Sequence, residues 1–557
     1  MKTGINFVEQ MNRLNPITKL DYPDLDVIRV GKTFYMVSTT MYFMPGCEIL
    51  RSFDLVNWEH AAYVYDRLDS TPAQKLEGRE NIYGQGMWAA SLRYHDGMFY
   101  ICFVANDTHK TYVYQSDNID GPWVKYNLDG FYHDNSILFD DDGKVYIVYG
   151  NKDIYIRELE LLDENGVMKL SDKKSSSTEK LIISDGDDAY LGYEGAHFYR
   201  INGRYYIFLI HIPKKTAIRT ESCFVSDSPF GPYRGADVMD DTRDYRGSGV
   251  AQGGIVDTPD DRWYSILFQD SGAVGRIPVL MPVYWDESGR NSIPVFGDEG
   301  RIPAIFEIPD LNPGYVYCPL VSGDDFRNDP SDRMSDSFGF KSFWQFNHEP
   351  DLSLVKRDFE RGTVTITTDK LCDNLTQAKN TLTQRTLFPG CKCSVTVDGS
   401  GLKEGDFAGL CILESCYGFV GITKEGPGFY LVAGRRIISE GGIWGERHDT
   451  KPFEELERVR LEDSVVTLGL AVTFDRKSLL ACGADSIRQE GISFPEEDDT
   501  ARLGYGVENG GFVRIGTDIK LEYKLDHFTG ARFGLFVYST KQPGGRAAFS
   551  EFVYYEK

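Results

Sequence analysis

Three carboxylates in the N-terminal part of the chain have the type and spacing needed for acid–base chemistry. Asp24, Asp134 and Glu194 each precede a similar pair of strands, seven, nine and nine residues before the glycine of the connecting turn. If these strand pairs are equivalent repeats, the three side chains lie at equivalent heights around a common axis. Like charges in one depression repel each other and raise the pKa of at least one of them. A protonated carboxyl beside ionised ones is what cleavage of a glycosidic bond requires.

Each of these acids also has a purely structural interpretation. Asp24 stands beside Pro23 and could cap a bend as an Asx-turn residue. Asp134 could be a turn acid like the run at 140–142, and Glu194 could pair with a nearby arginine. The shared placement of the three acids favours the chemical interpretation over three separate structural ones.

A recurring hairpin pattern positions these acids. It is a Gly or Asp-Gly turn followed by an aromatic-rich strand, and it reads VGKTFYMVS, DGMFYICFV, DGKVYIVYG and NGRYYIFLI, with a degenerate fifth copy, DDRWYSILF. Runs of β-branched and aromatic residues after such turns are typical of strands. Five units in about 300 residues predict a five-bladed β-propeller, with a large β-sandwich as the alternative.

The strand pattern stops and then resumes further along the chain. Residues 311–337 are rich in Pro, Asp, Ser and Gly, which predicts a linker after a propeller domain at 1–310. Short alternating segments such as GTVTITTD and CKCSVTV then predict a β-sandwich domain at 338–557. The predicted fold class is therefore all-β.

The bulk composition narrows the classes of partner. The 557 residues carry a net charge of -24, which argues against nucleic acid, because phosphate binding needs a basic surface. Aromatic residues make up 13% of the chain and suit both strand packing and stacking against sugars. No run of about 18 apolar residues and no signal-peptide pattern occur, so we expect a cytoplasmic protein without a membrane span. The ten cysteines contain no CxxC pair and are expected to be free thiols.

The N-terminal domain resembles glycoside hydrolase family 43, the β-xylosidases and α-L-arabinofuranosidases. The similar segments are NPITKLDYPDLDVIRVGKTFYMVSTT, HDNSILFDDDG and YEGAHFYRINGRYYIF, which occur in the family's order and spacing. FWQFNHEPD and ARFGLFVYS are similar to the family's appended concanavalin-like β-sandwich, so the resemblance covers almost the whole chain. One departure is Leu25, where the family often has a second proline.

The resemblance assigns a role to each acid. It implies that Asp24 is the general base, Glu194 the general acid, and Asp134 the residue that modulates the acid's pKa and orients it. The implied reaction is a single displacement with inversion, in which Asp24 activates a water and Glu194 protonates the leaving oxygen. The two carboxyl groups should then lie about 6.5–9.5 Å apart. No cofactor is required for this chemistry.

The resemblance also indicates four substrate contacts. Trp88 matches the segment that lines the sugar pocket, Phe43 an aromatic loop at the first subsite, and Arg276 an arginine carried into the pocket. Gln252, in GVAQGGIVD, stands where many members have an axial histidine that sometimes binds calcium. An amide oxygen is a weaker ligand, so a structural calcium is less favoured and no metal is predicted at the site. The structural alternatives are a core Trp88 and an Arg276 that pairs with buried acids.

The expected partner is a pentose-containing oligosaccharide from xylan or arabinan. The sequence leaves open whether arabinofuranose or xylose is released, and the QGG segment favours arabinofuranose. The sandwich is expected to close one wall of the pocket or to support a homo-oligomer. One alternative is a retaining fructan hydrolase, but its WMNDPNG-like opening and EC pair are missing. The other is a carbohydrate-binding protein without catalysis, against which the intact acids argue.

Overall fold

The computed structural model describes residues 14–164, 167–173, 179–285, 293–327, 338–438, 441–482, 491–507 and 510–555. Part of the predicted linker, 328–337, lies outside these residues. The described chain forms seven β-sheets and a single short α-helix, Arg476–Ala481. Within the same ranges, no helix is long and apolar enough to cross a membrane.

Five antiparallel sheets form the blades of a propeller, which confirms the predicted fold class. Blade I contains β1 (Asp26–Val30), β2 (Thr33–Ser38), β4 (Gly46–Ser52) and β5 (Glu59–Tyr65), and the short β3 (Phe43–Met44) leaves it to join another sheet. Blade II contains β6 (Met87–His95), β7 (Met98–Ala105), β8 (Lys110–Ser116) and β9 (Val124–Leu128). Blade III contains β10 (Ser136–Phe139), β11 (Val145–Asn151), β12 (Asp153–Glu164), β13 (Val167–Ser171) and β14 (Lys180–Ser184). Blade IV contains β15 (Ala189–Ile201), β16 (Arg204–Pro213), β17 (Thr220–Ser226) and β18 (Arg234–Met239). Blade V contains β19 (Val250–Asp257), β20 (Trp263–Asp270), β21 (Arg276–Tyr284) and β22 (Val295–Phe296).

The first strands of the blades, β1, β6, β10, β15 and β19, contact one another in a closed ring around the axis. Each of them is followed by one of the hairpin turns seen in the sequence. At 96–97 and 202–203 both residues of the turn have positive φ, so these are the tight two-residue turns that suit the twist of paired strands. The repeated turn chemistry thus sets where each inner strand ends and the next strand of its blade begins.

A buried ion pair ties the inner strands together at the axis. Asp26 accepts hydrogen bonds from Arg93 Nη1 at 2.5 Å and from the Leu92 backbone N–H at 2.9 Å, and its other oxygen lies 3.2 Å from His197 Nδ1. Arg93 also donates to Ser136 Oγ at 2.7 Å. These contacts hold the pKa of Asp26 at about 2, because Arg93 and His197 outweigh the cost of burial. The network therefore connects four of the five blades.

The C-terminal domain is a sandwich of two large sheets. The first has the order β3, β23 (Gln345–Asn347), β26 (Leu382–Arg385), β36 (Arg532–Ser539), β28 (Asp406–Leu413), β29 (Gly418–Glu425), β30 (Gly428–Arg435) and β31 (Glu454–Leu461). The second has the order β24 (Val355–Asp358), β25 (Thr363–Thr367), β37 (Arg546–Tyr555), β27 (Gly390–Asp398), β32 (Val465–Thr473), β33 (Thr500–Gly506) and β34 (Phe512–Arg514), with β35 (Ile519–Lys520) also paired to β33. Four 3₁₀ turns, at 272–274, 352–354, 375–377 and 442–444, complete the regular structure of the described residues.

The two domains share a sheet and a hydrophobic core. Strand β3, from the propeller, pairs with β23 of the sandwich through Phe43–Asn347 and Met44–Phe346. One cluster of buried apolar side chains runs from the first blade into both sheets of the sandwich. The sandwich is therefore packed rigidly against the propeller, and its loops can contribute to a site there.

Candidate active site

Asp24 lies just before β1, at the end of the propeller where the other inner strands also begin. Its side chain is buried, and each carboxylate oxygen has a partner: Arg276 Nη1 donates to Oδ1 at 2.7 Å and Thr39 Oγ1 donates to Oδ2 at 2.9 Å. Burial raises the pKa of Asp24 and nearby Asp134 raises it further, whereas Arg276 and Thr39 lower it. The carboxylate is thus fixed in orientation and set between opposing electrostatic effects, as a general base requires.

Asp134 lies just before β10 in the third blade and is also buried. Its Oδ2 accepts a hydrogen bond of 3.1 Å from the backbone N–H of Gly195, the residue after Glu194. Burial raises the pKa of Asp134 and the charge of Glu194 adds to this, while the neighbouring His133 opposes it. Asp134 therefore holds the backbone beside Glu194, and its predicted role toward the acid stays a prediction.

Glu194 projects from β15, where the pairing with β16 is irregular on both sides of it. Asn151 Nδ2 donates a short hydrogen bond to Glu194 Oε2. The Glu194 side chain is 18% exposed, against 9% for Asp24 and 7% for Asp134. A proton donor to a leaving group must reach the substrate, so the more open position suits the acid better than the base.

Three residues near the starts of the inner strands of different blades have left-handed backbone conformations. Asp24, Asp134 and Gln252 have φ values of 51°, 47° and 63°. Such conformations are strained for residues other than glycine and are concentrated at functional sites. One small cavity on the axis, with a volume of about 10 Å³ and room for about one water molecule, is lined by all three of these residues, by Gly195 and by residues of the second blade, so every blade contributes to it.

The four side chains predicted to contact the substrate lie in different surroundings in the structure. Gln252 lines the axial cavity, and its backbone N–H donates to the buried Glu221 at 2.8 Å. Trp88 is partly exposed at the start of β6, packs against a cluster of buried apolar side chains, and has a buried Nε1 without a hydrogen-bond partner. Its contact with the substrate stays a prediction. Arg276 pairs with a buried acid, as its structural alternative expected, and this acid is Asp24, the predicted general base. Arg276 therefore lies at the predicted site in either interpretation.

Phe43 lies elsewhere. Its side chain is only 1% exposed, and the Arg532 guanidinium carbon sits 3.5 Å from the centre of its ring. The Tyr42 ring lies 4.5 Å away. Because Phe43 belongs to β3, which pairs with the sandwich, its ring is part of the contact between the domains and not of the axial cavity. The expected sugar contact is replaced here by a structural role.

The sandwich supplies a residue that the sequence did not indicate. Phe528 packs edge-on against Trp88, with ring centres 5.5 Å apart, and the Arg276 guanidinium carbon lies 4.2 Å from the centre of its ring. Asp21 secures this contact, because its two oxygens accept from the backbone N–H groups of Arg276 at 2.7 Å and Gly530 at 2.8 Å. The sandwich thus forms one wall beside the predicted base and its arginine, one of the two roles expected for it.

His133 is a second residue that sequence reasoning missed. Its Nε2 lies 3.7 Å from Asp134 Oδ1 and 4.0 Å from Glu194 Oε2. The charge of Asp134 is the main cause that raises the pKa of His133 to about 9. His133, Asp134 and Glu194 each place one potential ligand atom within 4.8 Å of the other two. Among the described residues, this is the one group of His, Cys, Asp or Glu side chains that could hold a metal ion. A protonated His133 would instead serve as a counter-ion to the two carboxylates.

Comparisons with known proteins indicate the family of the chain and the class of its reaction. The family "Glycosyl hydrolases family 43" matches residues 13–290, and "Beta xylosidase C-terminal Concanavalin A-like domain" matches residues 336–555. A β-xylosidase from Formosa agariphila is 26% identical over 473 residues, 75% of this chain and 76% of its own length. A non-reducing-end α-L-arabinofuranosidase from Bacteroides ovatus is 28% identical over 329 residues, 56% of this chain and 58% of its own.

Among solved structures, a bifunctional GH43-CE protein from Bacteroides eggerthii superimposes with a TM-score of 0.81 at 37% identity. The match covers 98% of this chain and 63% of that longer one. The family match and the named relatives make this protein a glycoside hydrolase. The chain belongs to glycosyl hydrolase family 43, with the concanavalin-like domain that accompanies the family's β-xylosidases.

Proposed function

We propose that this protein is an inverting exo-acting glycosidase that releases a terminal pentose, α-L-arabinofuranose or β-D-xylose, from short oligosaccharides. The observation that carries the proposal is the joint placement of Asp24 and Asp134, from different blades, on one axial cavity beside the segment that holds Glu194. Relatives named as β-xylosidases and as an arabinofuranosidase support the pentose class. Between the two sugars, we favour arabinofuranose because of the QGG segment at Gln252.

In the proposed mechanism, Glu194 protonates the glycosidic oxygen as the bond to the anomeric carbon breaks. Asp24 takes a proton from a water that attacks that carbon from the opposite face. Thr39 donates a hydrogen bond to one oxygen of the Asp24 carboxylate and Arg276 to the other, and these bonds keep the carboxylate oriented toward this water. Asp134 fixes the backbone beside Glu194 and adds negative charge near it. No step requires a cofactor.

The roles of the two carboxylates can be separated by the leaving group. Glu194→Ala should lose at least about 100-fold in kcat/KM on a pentosyl disaccharide, the contribution expected of a general acid. It should lose far less on a dinitrophenyl pentoside, because this leaving group departs without a proton. Asp24→Ala should lose activity on both substrates, since both need an activated water.

The exposed Glu164→Gln variant serves as the matched control and should be unaffected. Equal losses of Glu194→Ala on both substrates would contradict the assignment of the acid. Comparison of kcat/KM on aryl α-L-arabinofuranoside and aryl β-D-xyloside then decides which pentose is preferred.

A further inference from the structure

An exposed aromatic turn projects from the sandwich domain. Ile443 and Trp444 end the short 3₁₀ turn 442–444, and their side chains are 59% and 72% exposed. All seven tryptophans of the chain lie in the described ranges, and Trp444 is the only one of them with an exposed side chain. A tryptophan ring offers a large apolar face for contact with a ligand.

The turn is held firmly in place although its tip is exposed. The buried Arg436 donates to the Glu446 carbonyl at 2.5 Å and to the Ser415 carbonyl at 2.9 Å, and it pairs with Asp449 at 2.9 Å. The backbone N–H of Glu446 donates to Asp526 at 3.0 Å. The indole is therefore presented on an ordered base, which reduces the entropic cost of binding a ligand.

The turn lies on the same end of the molecule as the candidate active site. The Leu525 N–H donates to the Ile443 carbonyl at 2.8 Å. Phe528, which lies beside Arg276, is three positions further along the chain, a span of at most about 10 Å. On the propeller side, Asn81 donates to the Arg447 carbonyl at 3.3 Å. Asn81 belongs to the loop that leads into β6 and Trp88, so the turn borders the catalytic end of the propeller.

We propose that Trp444, together with Ile443, is a binding platform for the leaving chain of the substrate, at pentosyl units beyond the one next to the scissile bond. The inference rests on the proposed function. A pentose ring presents an apolar C–H face that packs on a flat indole while its hydroxyl groups remain in water, and this stacking needs no charge on the ligand.

The position and the size of the patch favour a glycan over a second copy of the chain. The turn is linked to the residues beside Arg276 by the short 525–528 segment. The patch consists of two side chains, whereas a stable protein interface involves about 20–30 residues on each side.

The proposal is tested by the dependence of kcat/KM on chain length. The full-length protein and Trp444→Ala are compared on an aryl pentoside, a disaccharide and a tetrasaccharide of the same pentose. We expect Trp444→Ala to stay within about two-fold of the wild type on the first two substrates and to fall about five- to ten-fold on the tetrasaccharide, mainly through KM. Trp444→Tyr should recover part of this loss, because the phenol ring also offers a stacking face.

Tyr284→Ala is the matched control. Tyr284 is an exposed aromatic residue, 52% exposed, at the far end of β21, eight residues or about 26 Å along the strand from Arg276. It should show no dependence on chain length. An equal effect of Trp444→Ala on all three substrates would overturn the proposal, and so would a change of oligomeric state in sedimentation velocity, which would show that the patch is a contact between copies. Failure of the proposed function would appear differently, as a wild-type protein inactive on every substrate.

Discussion

Replacing Arg276 with methionine removes the cation that pairs with Asp24 while keeping much of the side chain's volume. In the wild type, Arg276 Nη1 donates to Asp24 Oδ1 at 2.7 Å, and both side chains are more than nine-tenths buried. A hydrogen bond to a charged group contributes about 1.5–3 kcal/mol, and one pKa unit corresponds to about 1.4 kcal/mol. The variant should therefore need a pH about 1–2 units higher to ionise Asp24.

The sign of the effect follows from the causes at this carboxyl. Burial already raises the pKa of Asp24, and Arg276 is the largest opposing influence. If Asp24 is the base, the acidic limb of the profile of kcat/KM against pH reports its ionisation in the free enzyme. Arg276→Met should move this limb upward by about 1–2 pH units, and activity should recover in part at alkaline pH.

The assay is the hydrolysis of an aryl pentoside between pH 4 and 9, with rates corrected for the folded fraction. This correction is needed because removing one partner of a buried ion pair costs about 3–5 kcal/mol of stability. Arg200→Met, which removes a cation paired with Asp140 and Asp141 away from the site, is the control and should leave the limb in place. A uniform drop of kcat/KM at every pH, with no shift of the limb, would refute the reasoning and make Arg276 a substrate contact only.

Three further outcomes are expected. Phe528→Ala should lower kcat/KM about ten-fold, because it removes the ring that covers Arg276 and Trp88. The control Phe359→Ala, at an exposed position of the sandwich, should have no effect. If Phe528→Ala were as active as the wild type, the sandwich would have no role in the site. The pKa of His133 is raised to about 9, so its protonation stabilises the folded protein fully below about pH 6.5, and this stabilisation is lost as the pH rises toward 9. The free energies of unfolding in urea of the wild type and His133→Gln should therefore differ by up to about 3 kcal/mol at pH 6 and converge near pH 10. A difference that stays constant with pH would contradict this. Dialysis against EDTA should leave kcat/KM unchanged, since the proposed steps use carboxylates and water alone, and a loss that calcium restores would show that a metal is needed.

The sequence was most informative where function follows from a local pattern. The end of the propeller at which Asp24, Asp134 and Glu194 lie could be predicted, because each stands at a similar distance before a repeated turn and the turn fixes the end of the inner strand. The five hairpins likewise predicted the propeller, since the φ preferences of Asp-Gly and Asn-Gly are properties of neighbouring residues. Patterns of this kind need no knowledge of which strands become neighbours.

Contacts between distant parts of the chain could not be predicted in this way. Phe528 reaches Arg276 only because Asp21 bonds to Gly530 and because β3 joins the sheet of the sandwich. Nothing in the residues around Phe528 marks them as neighbours of the first blade. The same reason accounts for Phe43, whose aromatic loop looks like a pocket segment until its strand is paired with β23.

His133 illustrates a different limit. It stands directly before Asp134 and was visible in the sequence, but a histidine next to an aspartate is common and has no fixed meaning. Its role depends on Glu194, sixty-one residues later, whose carboxylate lies 4.0 Å from the imidazole. The packing of the fourth blade against the third brings these two side chains together.

The stereochemistry of the first-formed product tests the central claim most directly. The anomeric proton of the released pentose can be followed by nuclear magnetic resonance during the first minutes of hydrolysis, before mutarotation. If Asp24 activates a water opposite Glu194, an aryl β-D-xyloside will yield α-xylose first, and an α-L-arabinofuranoside will yield the β-anomer first. Initial appearance of the anomer with the substrate's own configuration would contradict the single-displacement account.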